Sequence, residues 1–359
     1  MTFHPRTTLR SPLVAASIIA VFALLTACGS DDQDKTATEV VTLVTHESFA
    51  LSDDVLAQFT ADTGYRIEIL AAGDAGTMLN QSILTAGDPL GDVIFGVDST
   101  FLSRALDAEL TVPHQSPLLA QIPDSFQLDK SNRLLPVDVG DVCLNFDVQW
   151  FTDAAIEPPT NLADLTRATY KDLLVVQNPA TSSPGLAFAL ATIAEFGTDG
   201  DYDWLDYWAE LSDNGVKIQP GWSEAYYTDF TLYGGDRPIV VSYATSPPAE
   251  VYFADPRPES APSAVVEASC YRQHEFVGVL AGTDNPEGAR AFVDFLLSVT
   301  AQQDIPWNMF VFPVNELAEV PAEFSEHSLV PSNPLSVPSQ DIEANRESWI
   351  QQWSETAIG

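Results

Sequence analysis

Residues 40–71, VVTLVTHESFALSDDVLAQFTADTGYRIEILA, carry the pattern on which the fold turns. Val40–Val44 is alternating and β-branched, which predicts a strand. Asp53–Thr63 places Val55, Leu56 and Phe59 on one helical face and stops at Gly64, and Tyr65–Leu70 alternates again. Farther along, the spacing predicts a helix over Thr77–Ala86, a buried strand at Asp92–Gly96 and a helix over Ser99–Ala108. This β-α-β-α-β-α order predicts an open α/β sheet with helices on both faces, and ligands bind such sheets beyond the carboxyl ends of the strands. The segments His46-Glu47-Ser48, Asp74-Ala75-Gly76-Thr77 and Asp98-Ser99-Thr100 follow the three strands and are the first candidate site loops.

A second series follows Pro136-Val137-Asp138-Val139-Gly140. Strands are expected at Leu173–Gln177, Val216–Gln219 and Pro238–Tyr243, and helices over Gly185–Phe196 and Asp203–Leu211. No fixed-period repeat is visible, which points to two similar lobes and excludes a solenoid. Ala289–Ser298 is amphipathic, and Asp341–Trp353 predicts a last helix with Trp349 and Trp353 on one side. Pro256–Pro262 is expected to be a surface loop.

The 15 Lys and Arg residues face 51 Asp and Glu in 359 residues, a net charge of −36. A chain so acidic repels a phosphate backbone, so nucleic acid is excluded as a partner. A 45% hydrophobic content supplies a core and excludes a disordered acidic tail. No glycine fingerprint follows a strand, and neither a P-loop, an HExxH helix nor a nucleophile elbow is present, so a non-enzyme is expected.

Arg6 and Arg10 precede the apolar run Leu13–Ala27, which is short for a membrane span and has the form of a secretion signal over residues 1–27. It ends in Leu25-Thr26-Ala27-Cys28, which resembles the bacterial lipobox; this implies a lipidated Cys28 and a protein anchored by lipid alone to the outer face of the cell membrane. Residues 28–39 have the small, polar composition of a flexible tether. Two cysteines then remain in an oxidising compartment, Cys143 and Cys270. Each lies in a strand-like run, which is compatible with a disulfide between neighbouring strands or with two buried thiols.

Three loops narrow the function. They are Thr45-His46-Glu47-Ser48-Phe49, Thr181-Ser182-Ser183-Pro184-Gly185, and Gly221-Trp222-Ser223-Glu224-Ala225-Tyr226 with its companion Ser242-Tyr243-Ala244-Thr245-Ser246-Pro247. Together with Gly96-Val97-Asp98, Pro136-Val137-Asp138 and Phe310-Val311-Phe312-Pro313-Val314, the series resembles the thiamine-binding periplasmic proteins of ABC importers, in order from about Val40 to Trp353. The resemblance implies the two-lobed type II periplasmic-binding-protein fold, shared with ferric-ion and polyamine carriers. Each lobe is then a mixed sheet flanked by helices, and two strands form the hinge. Lobe 1 is expected at 40–140 and 277–308, lobe 2 at 141–276 and 309–359, with the hinge near Val139–Phe146 and Cys270–Phe276. It further implies a monomer with no cofactor that delivers thiamine, or a thiamine phosphate, to a permease and through it to an ATPase.

Thiamine joins a positive thiazolium to an aminopyrimidine, so its cleft requires flat aromatic faces and hydrogen-bond acceptors. The resemblance assigns stacking to Trp222, Tyr226, Tyr243 and Phe310. Polar contacts fall to His46, Ser48, Asp74, Gly76, Thr77, Asp98, Asp138, Ser182, Ser183 and Ser246. The chain departs from the family where His46 replaces a tyrosine and where Pro248-Ala249-Glu250 replaces an aromatic, leaving Glu250 as an alternative partner for the cation. One rival is ferric ion on the tandem Tyr226-Tyr227, with His46 and Glu47 from the other lobe. The other is a secreted hydrolase using His46 with Ser48.

Overall fold

Asp98, predicted to begin a loop, is the last residue of a strand, and the reason lies in its partner. The computed structural model describes residues 39–359. The expected signal sequence over residues 1–27, Cys28 and nearly all of the expected tether lie outside the described residues.

The expected alternation opens the chain: β1 (Glu39–Thr45), α1 (Asp53–Thr63), β2 (Tyr65–Ala71), α2 (Ala75–Leu84), β3 (Val93–Asp98) and α3 (Leu102–Asp107). Ser52 caps α1, its hydroxyl accepting from Val55 N, and Gly64 ends the helix at φ 81°, in the left-handed region that glycine enters without strain. β3 is longer than predicted because a later antiparallel strand pairs it through Asp98, with a bulge at Gly96. The Asp98 carboxylate then accepts from Thr100 Oγ1 and Phe101 N, which holds residues 99–101 in a turn and delays α3.

After β4 (Thr111–Val112) comes β5 (Leu135–Asp147), 13 residues that begin before the hinge segment expected near Val139–Phe146. The second series is α4 (Val148–Ala154), β6 (Leu174–Gln177), α5 (Ser183–Phe196), α6 (Trp204–Asp213) and β7 (Lys217–Gln219). It continues through the turn α7 (Trp222–Glu224), a π-helical turn Ala225–Asp229, β8 (Ile239–Tyr243) and α8 (Ser246–Phe253). β9 (Ser263–Leu280) leads to α9 (Pro286–Leu296), α10 (Val299–Asn308), β10 (Phe312–Pro313), α11 (Ala322–His327) and α12 (Ser339–Ala357).

Hydrogen bonding joins the strands in the order β2-β1-β3-β9-β5-β8-β6-β7. Three parallel strands lie at each end, β2-β1-β3 and β7-β6-β8, and each trio is completed by one antiparallel strand. The antiparallel strands, β9 and β5, pair with each other from Leu135↔Val277 to Asp147↔Ser263. They run through both halves of the sheet and join them as two strands. At a bulge in this ladder, Cys143 and Cys270 form a disulfide.

One apolar core lies in the first half, around Phe59, Phe95, Phe292 and Leu296. The larger core centres on Trp204, Trp208 and Trp353 in the second half but continues through Leu144 to Val44, Ile94 and Phe101. α12 fastens the two: Trp353 meets Trp208 edge to face at 5.3 Å, and the buried Arg346 donates from Nη1 to Ser103 Oγ at 2.9 Å. Among the described residues no helix is long and apolar enough to cross a membrane.

Candidate ligand-binding site

The segments that follow β1, β2, β6, β7 and β8 converge on a cavity of about 520 Å³, within the range of about 300–1,000 Å³ that suits a small organic ligand. Its aromatic wall is built by the residues after β7. Trp222 stacks on Tyr226 with ring centroids 4.8 Å apart and planes 16° from parallel, while Tyr227 and Tyr243 meet the indole edge to face. The indole is fixed from below, where Nε1 donates to Ser242 Oγ at 2.9 Å and Ser242 in turn bonds Ser246 Oγ at 2.7 Å. The Tyr226 hydroxyl turns inward and donates to Glu250 Oε1 at 2.6 Å. Glu250 also accepts from Ser263 N, and burial raises its pKa to about 6. It therefore supports Tyr226 from behind and does not line the cavity, in contrast to the role left open for it by the sequence.

Phe310 lies across the cavity mouth in a left-handed backbone conformation, φ 54°, and packs on Phe253 with centroids 5.1 Å apart. Nearby, Tyr252 of α8 meets Trp307 of α10 at 4.5 Å.

Asp74 joins the two halves. Its Oδ1 accepts from Ala75 N at 2.6 Å, capping α2, and its Oδ2 accepts from Trp222 N at 2.9 Å. Burial raises its pKa against the lowering effect of these N–H groups. The rest of the α2 start is committed to the same contact. Thr77 N donates to Thr181 O at 3.0 Å, and a Cβ on Gly76 would come within 2.7 Å of the Thr181 carbonyl carbon. Gly76 and Thr77, expected at the ligand, thus pack against the opposite half outside the cavity, because close backbone approach consumes the donors of the helix N-terminus.

His46 lines the cavity, with Nδ1 accepting from Ser48 N at 3.2 Å and Nε2 facing Glu275 Oε1 at 3.3 Å. Burial lowers the imidazole pKa, but Glu275, Asp74 and Glu47 outweigh it and the net shift is upward. The ring occupies the space a side chain on residue 96 would need: a Cβ on Gly96, at φ +93°, would overlap His46 Cδ2. Ser48 is exposed at the mouth, and both nitrogens of His46 face groups other than its hydroxyl, so no nucleophile and base pair is assembled.

Asp98 and Asp138 are fully buried beneath the cavity and do not line it. Both lie on strands paired along each edge, β3 between β1 and β9 and β5 between β9 and β8, and so stand within the covered sheet and not in a loop at its end. Asp98 accepts from Gln273 Nε2 at 3.0 Å as well as from Thr100 and Phe101, and burial raises its pKa to about 7. Gln273 also donates to Ser183 Oγ at 2.9 Å and accepts from the Tyr243 hydroxyl at 3.2 Å, linking three predicted site residues. Ser182 caps α5 and is buried, whereas Ser183 reaches the cavity.

Of the fourteen residues expected at the ligand, nine therefore line the cavity: His46, Ser48, Asp74, Ser183, Trp222, Tyr226, Tyr243, Ser246 and Phe310. Glu275 and Gln273 escaped sequence reasoning because they lie inside a strand and not in a loop after one. The available signal was a carboxylate and an amide in a run otherwise bound for the interior. The ferric set is not assembled: the Tyr226 hydroxyl is engaged by Glu250 and His46 by Glu275. Among the described residues no group of three or more His, Cys, Asp or Glu side chains is placed to hold a metal ion.

The arrangement is that of a binding cleft between two halves of a solute-binding fold. Residues 88–345 match the family model described as bacterial extracellular solute-binding protein, and the chain belongs to that family. It is 27% identical over 322 residues to the thiamine-binding periplasmic protein of Salmonella typhimurium, covering 88% of this chain and 93% of that one. It is also 27% identical over 324 residues to the thiamine-binding periplasmic protein of Escherichia coli, with the same coverage. A solved periplasmic thiamin binding protein superimposes with a TM-score of 0.77 at 26% identity, over 89% of this chain and 96% of the other.

Proposed function

We propose that this chain is an extracytoplasmic lipoprotein, anchored through Cys28, that captures thiamine or a thiamine phosphate in the cavity and delivers it to an ABC importer. The observation that carries the reading is the cavity itself, with the Trp222–Tyr226 stack on one wall and Asp74, Glu47 and Glu275 around it. Aromatic faces attract an organic cation through the ring quadrupole, by about 0.5–2 kcal/mol per contact as the site dries, and carboxylates complete its neutralisation. The likeness to thiamine-binding relatives supports the same ligand. In this reading the halves, 40–140 with 277–308 and 141–276 with 309–359, open and close about β5 and β9, and the Asp74–Trp222 bond belongs to the closed state. No bond is made or broken in the ligand.

Calorimetry of the purified protein with thiamine, its monophosphate and its diphosphate tests the proposal, with tryptophan fluorescence as a second signal. Saturable heat and a fluorescence change with at least one of them are expected. Neither signal with any of the three, or a phenolate absorption band on addition of ferric ion in their place, would overturn it.

A further inference from the structure

Two carboxyl groups meet at the floor of the cavity, one lining it and the other buried beneath it. Asp138 on β5 and Glu275 on β9 are directly opposite each other in the antiparallel ladder. Asp138 is fully buried, and among the described residues neither of its oxygens has an N–H or O–H partner. Glu275 is nearly as buried but lines the cavity. Carboxylate oxygens only accept hydrogen bonds, so two facing carboxyls form a bond only when one carries a proton. Burial, and then the neighbouring charge of Glu275, raise the Asp138 pKa well above the usual carboxylate range.

The surroundings supply little positive charge. Asp74 of α2, Asp98 of β3 and Tyr243 of β8 face the same region, and Asp98 feels the charge of Glu275. His46, after β1, is the only basic side chain among the cavity-lining residues. The nearest arginine on these strands, Arg272, is held by Asp141 through two bonds of 3.0 Å. A cation entering the cavity would therefore add to His46, 3.3 Å from Glu275, as an influence favouring loss of the shared proton.

We propose that Asp138 and Glu275 are a proton-sharing pair that serves as the counter-ion of the bound cation, and that capture of one ligand cation releases one proton. The inference rests on the ligand being an organic cation such as thiamine. The proton leaves the Asp138–Glu275 pair for solvent as the cation takes over its neutralising role, so charge in the cavity is conserved. Linkage then makes affinity pH-dependent. One proton released per ligand tightens binding by up to about tenfold per pH unit while the free pair remains protonated, and the dependence flattens above its titration.

The test is calorimetric titration of thiamine into the protein in phosphate and in Tris, whose ionisation enthalpies differ, between about pH 5.5 and 7.5. Release of about one proton is expected, with a dissociation constant that falls as pH rises. Asp138→Asn, whose amide can donate to Glu275 but has no proton to give up, should bind without proton release and with a flat pH profile. Glu275→Gln should abolish the release in the same way and serves if the first variant does not fold. His46→Gln should retain it. Thiamine binding without proton exchange overturns the proposal and leaves the ligand assignment standing. Release that survives in Asp138→Asn and vanishes in His46→Gln assigns the proton to the imidazole and also overturns it. An absence of thiamine binding in the parent protein removes both.

Discussion

Replacing Trp222 with alanine tests the aromatic wall most directly. The backbone bond from residue 222 to Asp74 survives this change, so the contact between the halves is left in place. Three things are lost: the stack on Tyr226, the 2.9 Å bond from Nε1 to Ser242, and the indole surface offered to the cavity. The first two hold the wall in shape, at about 0.5–1.5 kcal/mol each. The third acts on the ligand, at about 0.5–2 kcal/mol for a desolvated cation. Because disorder in the wall adds to the lost contact, thiamine should bind at least about tenfold more weakly, equivalent to about 1.4 kcal/mol. Trp222→Phe keeps an aromatic face but loses the Ser242 bond, and should fall between the parent and the alanine variant. Calorimetry reads the dissociation constants, and a melting curve confirms that each variant is folded. An alanine variant that is folded and binds with the parental constant would refute the assignment of Trp222 to the site.

Two further outcomes follow from the buried neighbours of the cavity. Gly96→Ala places a methyl group where His46 Cδ2 lies and forces a side chain to adopt φ +93°, so it should destabilise the fold by about 1–3 kcal/mol and weaken ligand binding as the imidazole is displaced, measured by denaturant titration and calorimetry. Asp98 has a folded pKa of about 7, raised by burial, against about 3.9 in an unfolded chain. Its stabilising contribution is thus fully present below pH ~4, declines as pH rises and is lost once pH passes ~7. Relative to the parent, Asp98→Asn should gain stability between about pH 5 and 8, on the order of 2 kcal/mol, and a constant difference across that range would show that Asp98 does not titrate there.

Much of the architecture follows from local patterning. β1, α1 and β2 appear where alternation, helical spacing and Gly64 place them, because each of these signals acts within a few residues. The bounds failed where a distant strand intervened: β3 continues to Asp98 and β5 begins at Leu135 because β9 pairs with both. Nothing near Pro136–Gly140 reports a partner more than 130 residues away.

The same distinction divides the site. His46 and Asp74 were legible because an open α/β sheet delivers the loops after its strands to one edge, and Trp222 and Tyr243 because they stand in the loop motifs that carry the family resemblance. The sequence alone determined the alternating architecture, the acidic balance that excludes nucleic acid, and the aromatic loops from which the cavity is lined. Only the tertiary structure decided that Gly76 and Thr77 bind Thr181 and not the cavity, that Glu250 stands behind Tyr226, and that Asp138 and Glu275 meet beneath the floor. Periodicity states which face of an element a residue occupies, whereas the charge state and partner of a buried carboxyl depend on what another strand brings opposite it.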